Sequence, residues 1–160
     1  MFSDEMVKTF EQILSRYPVK RSALIPILHE VQARDGYLTQ EAMAEVAQYL
    51  GLHPVEVVET ATFYDLLNLR PVGKYQILFC HNLSCTLVGA ERVLAHLGRT
   101  LGIRVGETTP DGLFTLKRME CLASCGTAPV MQVNGEYHES LTEAKVDQIV
   151  SSLRQRAAAS

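Results

Sequence analysis

Four cysteines, arranged as two widely separated pairs, constrain this chain more than any other feature of its sequence. The first pair is Cys80 and Cys85, with four residues between them, and the second is Cys121 and Cys125, with three. Residues 86–120 lie between the pairs. This arrangement predicts a single four-thiolate site built from two loops that are distant in sequence.

The composition indicates a globular protein of a reducing compartment. The chain has 160 residues, of which 47% are hydrophobic and 21% charged, which is enough for one or two cores. Its first residues are acidic and amphipathic, unlike a signal or transit peptide, and no apolar run approaches the ~20 residues of a membrane helix. We therefore expect a cytoplasmic location, where cysteines serve as metal ligands or redox groups more often than as disulfides.

Apolar residues at helical spacing predict four short helices in the first half of the chain. They begin near Asp4, Ser22, Thr39 and His53. Thr39 is a suitable N-terminal cap, and Pro54 suits the first helical position, where its missing N–H is not needed. Helix pairs of this length also occur in DNA-binding proteins. The first 72 residues, however, carry 6 basic and 10 acidic side chains, the opposite of the basic footprint that nucleic acids require.

A change of period near Val72 predicts a domain boundary, with a helical domain at residues 1–72 and a second domain at 73–160. Tyr75–Phe79 is apolar and short, as expected of a strand buried in the middle of a sheet. A helix ending at Gly102 should follow Cys85, and Leu113–Met119 should form another long strand. Ile103–Val105 is a further short strand candidate.

The end of the chain contains a hairpin signal and a final helix. Asn134-Gly135 supplies the two positive-φ residues of a type I′ turn between Pro129–Val133 and Glu136–His138. The order strand, helix, strands, hairpin, helix is close to a thioredoxin-like topology. The predicted fold class is therefore mixed α+β and α/β, a helical bundle followed by a thioredoxin-like α/β domain.

The two cysteine pairs can meet if the strands that precede them are parallel. Cys80 and Cys121 each follow a predicted strand, and the carboxyl ends of parallel strands lie at the same edge of a sheet. The loop from Cys80 to Cys85 is expected to lead into a helix, whose N-terminal N–H groups and dipole favour negative charge. Gly126 would let the backbone approach the sulfur atoms without a side-chain clash.

Three chemistries compete for four thiolates in this pattern. Structural zinc most often uses pairs with two intervening residues, although longer spacings occur. A thioredoxin-type enzyme needs two cysteines separated by two residues, which this chain lacks. The spacing also differs from those of plant-type and bacterial ferredoxins. Two separated pairs nevertheless suit a binuclear iron–sulfur cluster, in which each pair holds one iron. We therefore favour an iron–sulfur cluster over zinc or a thiol–disulfide site.

Longer motifs around the cysteines resemble thioredoxin-like 2Fe-2S ferredoxins. Residues 106–116, read as GETTPDGLFTL, lie between the pairs, and Glu120-Cys121-Leu122 begins the second. In the first half the resemblance extends to Leu28–Leu38 and to Ala61–Tyr64, and it continues at Pro71–Tyr75, so that it covers nearly the whole chain. Many relatives have proline where this chain has Ser84, a difference that concerns the hydrogen bonding around the cluster.

The resemblance implies that Cys80, Cys85, Cys121 and Cys125 bind one 2Fe-2S cluster. It further implies an electron-transfer component of NADH-quinone oxidoreductase, respiratory complex I, that exchanges one electron with FMN. In this family FMN and the NADH site belong to a partner, the larger NADH-binding flavoprotein. The complex would be bacterial and would keep this chain at the periphery of the inner membrane, with other peripheral-arm subunits as neighbours.

The chain itself should be an electron carrier without a substrate site, because it has no G-x-G-x-x-G fingerprint for NADH. Equivalent subunits occur in NAD-linked hydrogenases and formate dehydrogenases, which form the close alternative. A zinc-stabilised interaction domain is the alternative of a different class. Beside the site, we expect His81 to be a solvent-facing loop residue and Glu120 a solvated charge.

Overall fold

The computed structural model describes residues 2–159, which form two compact units. The first unit ends at Pro71 and the second begins at Val72. Each unit has its own core of buried apolar side chains.

The described part of the first unit, residues 2–71, consists of four α-helices joined by short turns. They are α1 (Asp4–Leu14), α2 (Leu24–Asp35), α3 (Gln40–Leu50) and α4 (Pro54–Phe63), with a 3-10 turn at Lys20–Ala23 before α2. Thr39 caps α3 as its sequence predicts, because its hydroxyl accepts a hydrogen bond from the Ala42 N–H at 3.1 Å. His53 and Glu56 form a reciprocal capping box at the start of α4.

The apolar faces of these helices meet in one core. Phe10, Ile27, Leu28, Val31 and Val46 are all fully buried there. The side-chain amide of Gln32, on α2, binds the segment after α4. Its Nε2 donates to the Leu66 carbonyl at 2.9 Å, and its Oε1 accepts from the Asn68 N–H at 2.5 Å. The helical bundle expected from the sequence is therefore confirmed.

The second unit is built on a four-stranded mixed sheet in the order β2-β1-β3-β4. The strands are β1 (Tyr75–Cys80), β2 (Phe114–Met119), β3 (Met131–Val133) and β4 (Glu136–His138). β1 lies in the middle, parallel to β2 and antiparallel to β3. Its last four residues are buried, as the apolar run from Tyr75 to Phe79 predicts.

Three α-helices complete this unit over its described residues, 72–159. They are α5 (Leu83–Leu87), α6 (Ala90–Leu101) and α7 (Glu143–Ala158). α6 ends at Gly102 in the left-handed conformation, and the Thr142 hydroxyl caps α7 by accepting from the Lys145 N–H at 3.1 Å. The α/β character expected of the second half is thus confirmed.

Ile103–Val105 does not form the strand that its apolar alternation suggests. The Ile103 N–H donates instead to the Gly98 carbonyl at 3.1 Å, which closes the end of α6. The chain pairs with β2 beyond this point: the Gly106 N–H donates to the Leu116 carbonyl at 2.7 Å, and Thr108 forms a bridge with Thr115. Within residues 2–159, no helix is long and apolar enough to cross a membrane.

Candidate metal centre

The register of the two parallel strands brings the cysteine loops to one edge of the sheet. Cys80 is paired with Met119, and both residues are the last of their strands. The His81 N–H donates to the Met119 carbonyl at 3.2 Å, and the Cys80 N–H donates to the Val130 carbonyl at 3.1 Å. Cys121 follows two residues after β2, so that both cysteine pairs begin where this parallel pairing ends.

The first pair is buried. Cys80 and Cys85 are 2% and 1% exposed. Cys85 lies within the one-turn helix α5 and not at the start of the longer helix, which corrects the expectation from the sequence. α5 forms because the Asn82 side chain accepts a hydrogen bond from the Leu83 N–H at 2.7 Å, while the Thr86 hydroxyl donates to the His81 carbonyl at 3.0 Å.

The thiol of Cys85 is held in its protonated form unless a metal replaces the proton. Burial raises the pKa of Cys85 to about 11, and the hydrogen bond with Cys80 and the negative charges of Cys80 and Cys125 act in the same direction. A backbone hydrogen bond from Val130 opposes the shift. Cys80 and Cys125 are thus both close enough to Cys85 to influence it electrostatically.

The second pair lies on an irregular loop. Cys121 and Cys125 are exposed and, like the first pair, are free thiols. Ala123 adopts a φ of 58°, which is uncommon for a residue with a side chain. Its N–H donates to the Cys121 sulfur at 3.3 Å, a contact that directs the backbone toward this sulfur atom. A single 3-10 turn, Cys125–Thr127, follows.

Two side chains, one on β4 and one directly after it, bind this loop by hydrogen bonds. The Tyr137 hydroxyl donates to the Leu122 carbonyl at 2.9 Å. Glu139 accepts hydrogen bonds from the Ser124 and Thr127 hydroxyls, the latter at 2.7 Å. Neither Tyr137 nor Glu139 can be recognised from the sequence, because nothing in the local pattern after Asn134-Gly135 relates them to the loop that follows β2.

The donor set, four free thiols in two pairs, fits a binuclear cluster. In the part of the chain that the structure describes, no three His, Cys, Asp or Glu side chains are grouped closely enough to hold one ion. A tetrahedral zinc site needs four ligands around one centre, whereas a 2Fe-2S cluster spreads four thiolates over two irons. Two separate pairs of free thiols are compatible with the second arrangement.

The residues next to the cysteines in sequence differ in their exposure to solvent. Nε2 of His81 lies 3.4 Å from a Glu120 oxygen, and His81 is half-buried, whereas Glu120 is largely exposed. The solvent-facing histidine expected from the sequence is therefore partly covered. A side chain at Gly126 would meet no atom within 4 Å, which leaves the space around the second pair open. Ser84 is half-buried beside Cys85.

An apolar surface adjoins the first pair. Leu83 is 69% and Leu87 76% exposed, although both lie on α5 with the buried Cys85. Val88 continues this surface at the end of the helix. Exposed leucines beside a buried cysteine are typical of a protein contact surface.

Comparison with known proteins identifies relatives over almost the whole chain. The model of the thioredoxin-like 2Fe-2S ferredoxin family matches residues 10–154. The E 2 subunit of NADH-quinone oxidoreductase from Rhizobium meliloti is 48% identical over 149 residues, which are 93% of this chain and 89% of the relative. Subunit 2 of NADH-quinone oxidoreductase from Thermus thermophilus is 42% identical over 156 residues, 96% of this chain and 86% of the relative.

A solved structure has a similar fold. The crystal structure of an NAD+-reducing NiFe-hydrogenase in the air-oxidized state matches with a TM-score of 0.73 and 26% identity. The match covers 83% of this chain but only 23% of the hydrogenase chain. The protein therefore corresponds to about a quarter of that polypeptide.

Proposed function

The chain belongs to the thioredoxin-like 2Fe-2S ferredoxin family, and on this basis we propose that it is the electron-transfer subunit of an NADH-quinone oxidoreductase. Cys80, Cys85, Cys121 and Cys125 bind one 2Fe-2S cluster in this proposal. The cluster, when bound, supplies one-electron redox chemistry. The chain contributes the ligands, their burial and their hydrogen bonds, and it has no substrate site of its own.

One observation supports the ligand assignment above all others: the two cysteine loops start at the same end of the parallel pair β1 and β2. Cys80 closes β1 and Cys121 follows β2, so the two pairs approach from neighbouring strands. The first pair is buried and the second is exposed. Such a site is open on one side to an electron donor in another protein.

We assign the electron donor to FMN on a partner, the flavoprotein subunit that also binds NADH. The names of the relatives with 48% and 42% identity support an NADH-linked, quinone-linked complex. The chain would be held at the periphery of a bacterial inner membrane, on its cytoplasmic side, by this partner and other peripheral-arm subunits.

Exposed apolar side chains support a docking role for both units. On the second unit they are Leu83, Leu87 and Val88. On the helical unit, Phe63 is 78% exposed, with further exposed apolar residues near it in sequence. They are Val55, Val58, Tyr64, Leu66 and Leu69. Surfaces of this composition are normally covered by a partner.

The cluster is tested by anaerobic purification followed by iron and acid-labile sulfide analysis and a visible spectrum. We expect two irons and two sulfides per chain and a coloured protein that bleaches on reduction. A colourless protein with one zinc and no sulfide would instead support the alternative function, a zinc-stabilised interaction domain.

Docking is tested by co-purification of the flavoprotein with the variants F63S and L87S. Each substitution should weaken the association with the flavoprotein. V19S changes an exposed valine in a loop and serves as the control.

A second assembly is favoured by one observation, the hydrogenase match with a TM-score of 0.73. In that case the chain would serve an NAD-linked hydrogenase. The higher identity to the quinone-linked relatives favours the first proposal. Mass spectrometry of the chains that co-purify from the native cell distinguishes the two, since only the hydrogenase assembly brings a nickel-containing subunit.

A further inference from the structure

We propose that Glu139 is a positioning residue of the metal centre, which holds the Cys125 side of the site in place and lowers the electron affinity of the cluster. The effect on the electron affinity of the cluster rests on the proposed function. The positioning of the loop does not, because it depends only on contacts within this chain. Neither the family match nor the cysteine spacing points to this residue.

One carboxylate oxygen joins two hydroxyl groups on either side of Cys125. Oε1 of Glu139 accepts a hydrogen bond from the Ser124 hydroxyl and another, at 2.7 Å, from the Thr127 hydroxyl. The two hydroxyl oxygens are themselves 2.7 Å apart. Since Ser124 precedes Cys125 and Thr127 follows it by two residues, the carboxylate spans the ligand position.

Glu139 is itself anchored, so it can restrain the loop. The Lys145 ammonium group donates to the Glu139 carbonyl at 2.6 Å. Next along the chain, the Ser140 N–H donates to the Thr127 carbonyl at 2.6 Å. The loop and the segment after β4 are thus joined by both backbone and side-chain bonds.

The loop needs an external restraint because it has little regular structure of its own. Ala123 lies in the left-handed region, and only the short 3-10 turn at Cys125–Thr127 is regular. A φ of this kind persists in a residue with a side chain only where surrounding contacts enforce it. Hydrogen bonds to an ionised carboxylate are stronger than neutral ones and are suited to this task.

The same carboxylate places a negative charge beside the site. Hydrogen bonds from Ser124, then from Thr127, hold the pKa of Glu139 below its ordinary value, and the Lys145 charge adds to the effect. The side chain is therefore ionised at neutral pH. A fixed negative charge opposes the arrival of an electron nearby, and hydroxyl protons that are directed at Glu139 are not available to a sulfur atom.

The positioning half is tested on the cluster-free protein by hydrogen exchange of a peptide covering residues 122–128. We expect about fivefold faster exchange in E139A, because both hydroxyls lose the charged acceptor that ties them to the segment after β4. E139Q should remain close to the wild type, since an amide oxygen still accepts. E136A removes an exposed carboxylate from β4 and is the matched control. Wild-type exchange in E139A would overturn the positioning role.

The electrostatic half is tested on the loaded protein by redox titration followed in the visible spectrum. The reduction potential of E139Q should be more positive than that of the wild type or of E136Q. E139D keeps the carboxylate, so its potential should lie closer to the wild-type value. Equal potentials in E139Q and E136Q would overturn this half, because a merely structural residue would leave the potential unchanged. A wild-type protein that forms no cluster would refute the proposed function, while the exchange experiment would still decide the role of Glu139 in the loop.

Discussion

The hydroxyl group of Tyr137 donates a hydrogen bond to the carbonyl oxygen of Leu122, at 2.9 Å. Leu122 stands between the two cysteines of the second pair, and its side chain is buried. Tyr137 lies on β4, at the edge of the sheet opposite to β2, which leads into the loop. This bond therefore connects β4 with the loop that follows β2, the strand at the other edge of the sheet.

Replacing Tyr137 by phenylalanine should loosen the second cysteine loop. The change keeps the ring and removes one donor, at a cost of about 1 kcal/mol in the free energy of unfolding. In the loaded protein we expect faster loss of visible absorbance when a chelator is added. Y64F, in the helical unit, is the control. Equal rates of cluster loss in Y137F and the wild type would contradict the anchoring role.

Alanine at a cysteine of either pair should abolish the cluster. C85A removes a ligand from the buried pair and C121A one from the exposed pair, and metal binding is linked to the order of the loops that carry the ligands. The measurement is iron and sulfide content together with the visible spectrum. A variant with full cluster content and an unchanged spectrum would show that its cysteine is not a ligand.

In the cluster-free protein, the exposed pair should react with iodoacetamide before the buried pair. Cys121 and Cys125 are accessible, whereas Cys85 is buried and its pKa is raised to about 11. Only the thiolate reacts, so each unit of pH below that value lowers the reactivity of Cys85 about tenfold. Peptide mass spectrometry at two pH values measures the order. Modification of Cys85 ahead of Cys121 near neutral pH would contradict this account.

His138 should make the protein less stable as the pH falls. Burial lowers the pKa of His138, an effect that Lys145 and Arg156 reinforce and Glu136 opposes. Because the folded-state pKa lies below the ordinary value of 6.5, the unfolded state binds more protons between the two values. The stability is complete above the unfolded pKa and is lost as the pH falls through the folded one.

Urea unfolding at about pH 7 and about pH 5 checks the expectation for His138. H138N should show a smaller loss of stability over this interval than the wild type. H29N changes an exposed histidine of the helical unit and is the control. The same loss in H138N as in the wild type would refute the assignment.

Alanine at Gly73 should destabilise the second unit. A Cβ there would lie 2.9 Å from backbone atoms of Leu113 and Phe114, at the start of β2. The expected loss is about 1–3 kcal/mol, which exceeds the entropic gain of a glycine-to-alanine change. Gly126 has open space around it and a φ that is not positive, so G126A is the matched control. Thermal unfolding of the cluster-free proteins should separate the two variants.

The elements that depend on local rules were predictable from the sequence. Thr39 and Thr142 cap helices through their own hydroxyls, and Asn134 and Gly135 both have positive φ in the hairpin turn. The parallel pairing of β1 and β2 was the condition for the two cysteine loops to meet at one edge of the sheet, and the register of the strands meets it. In each case the controlling contacts lie within a few residues or within one general rule of topology.

Other features depend on competition that a local pattern does not reveal. Apolar and polar residues alternate in Ile103–Val105 as in a strand, yet the Ile103 N–H donates to the Gly98 carbonyl at the end of α6. α5 is too short to show a helical period, and it forms around the cap at Asn82. In the site, the spacing of the cysteines predicts the ligands, whereas Glu139 acts on a loop that is distant in sequence and is visible only in three dimensions.

The central position of β1 means that the metal centre depends on strands that are synthesised after its first two cysteines. β1 is bonded on one side to β2 and on the other to β3, both of which are synthesised long after it. Cys80 and Cys85 are therefore synthesised before Cys121 and Cys125, and before the strands that flank β1. All four cysteines of the site are therefore present only in a chain that has been synthesised at least as far as Cys125.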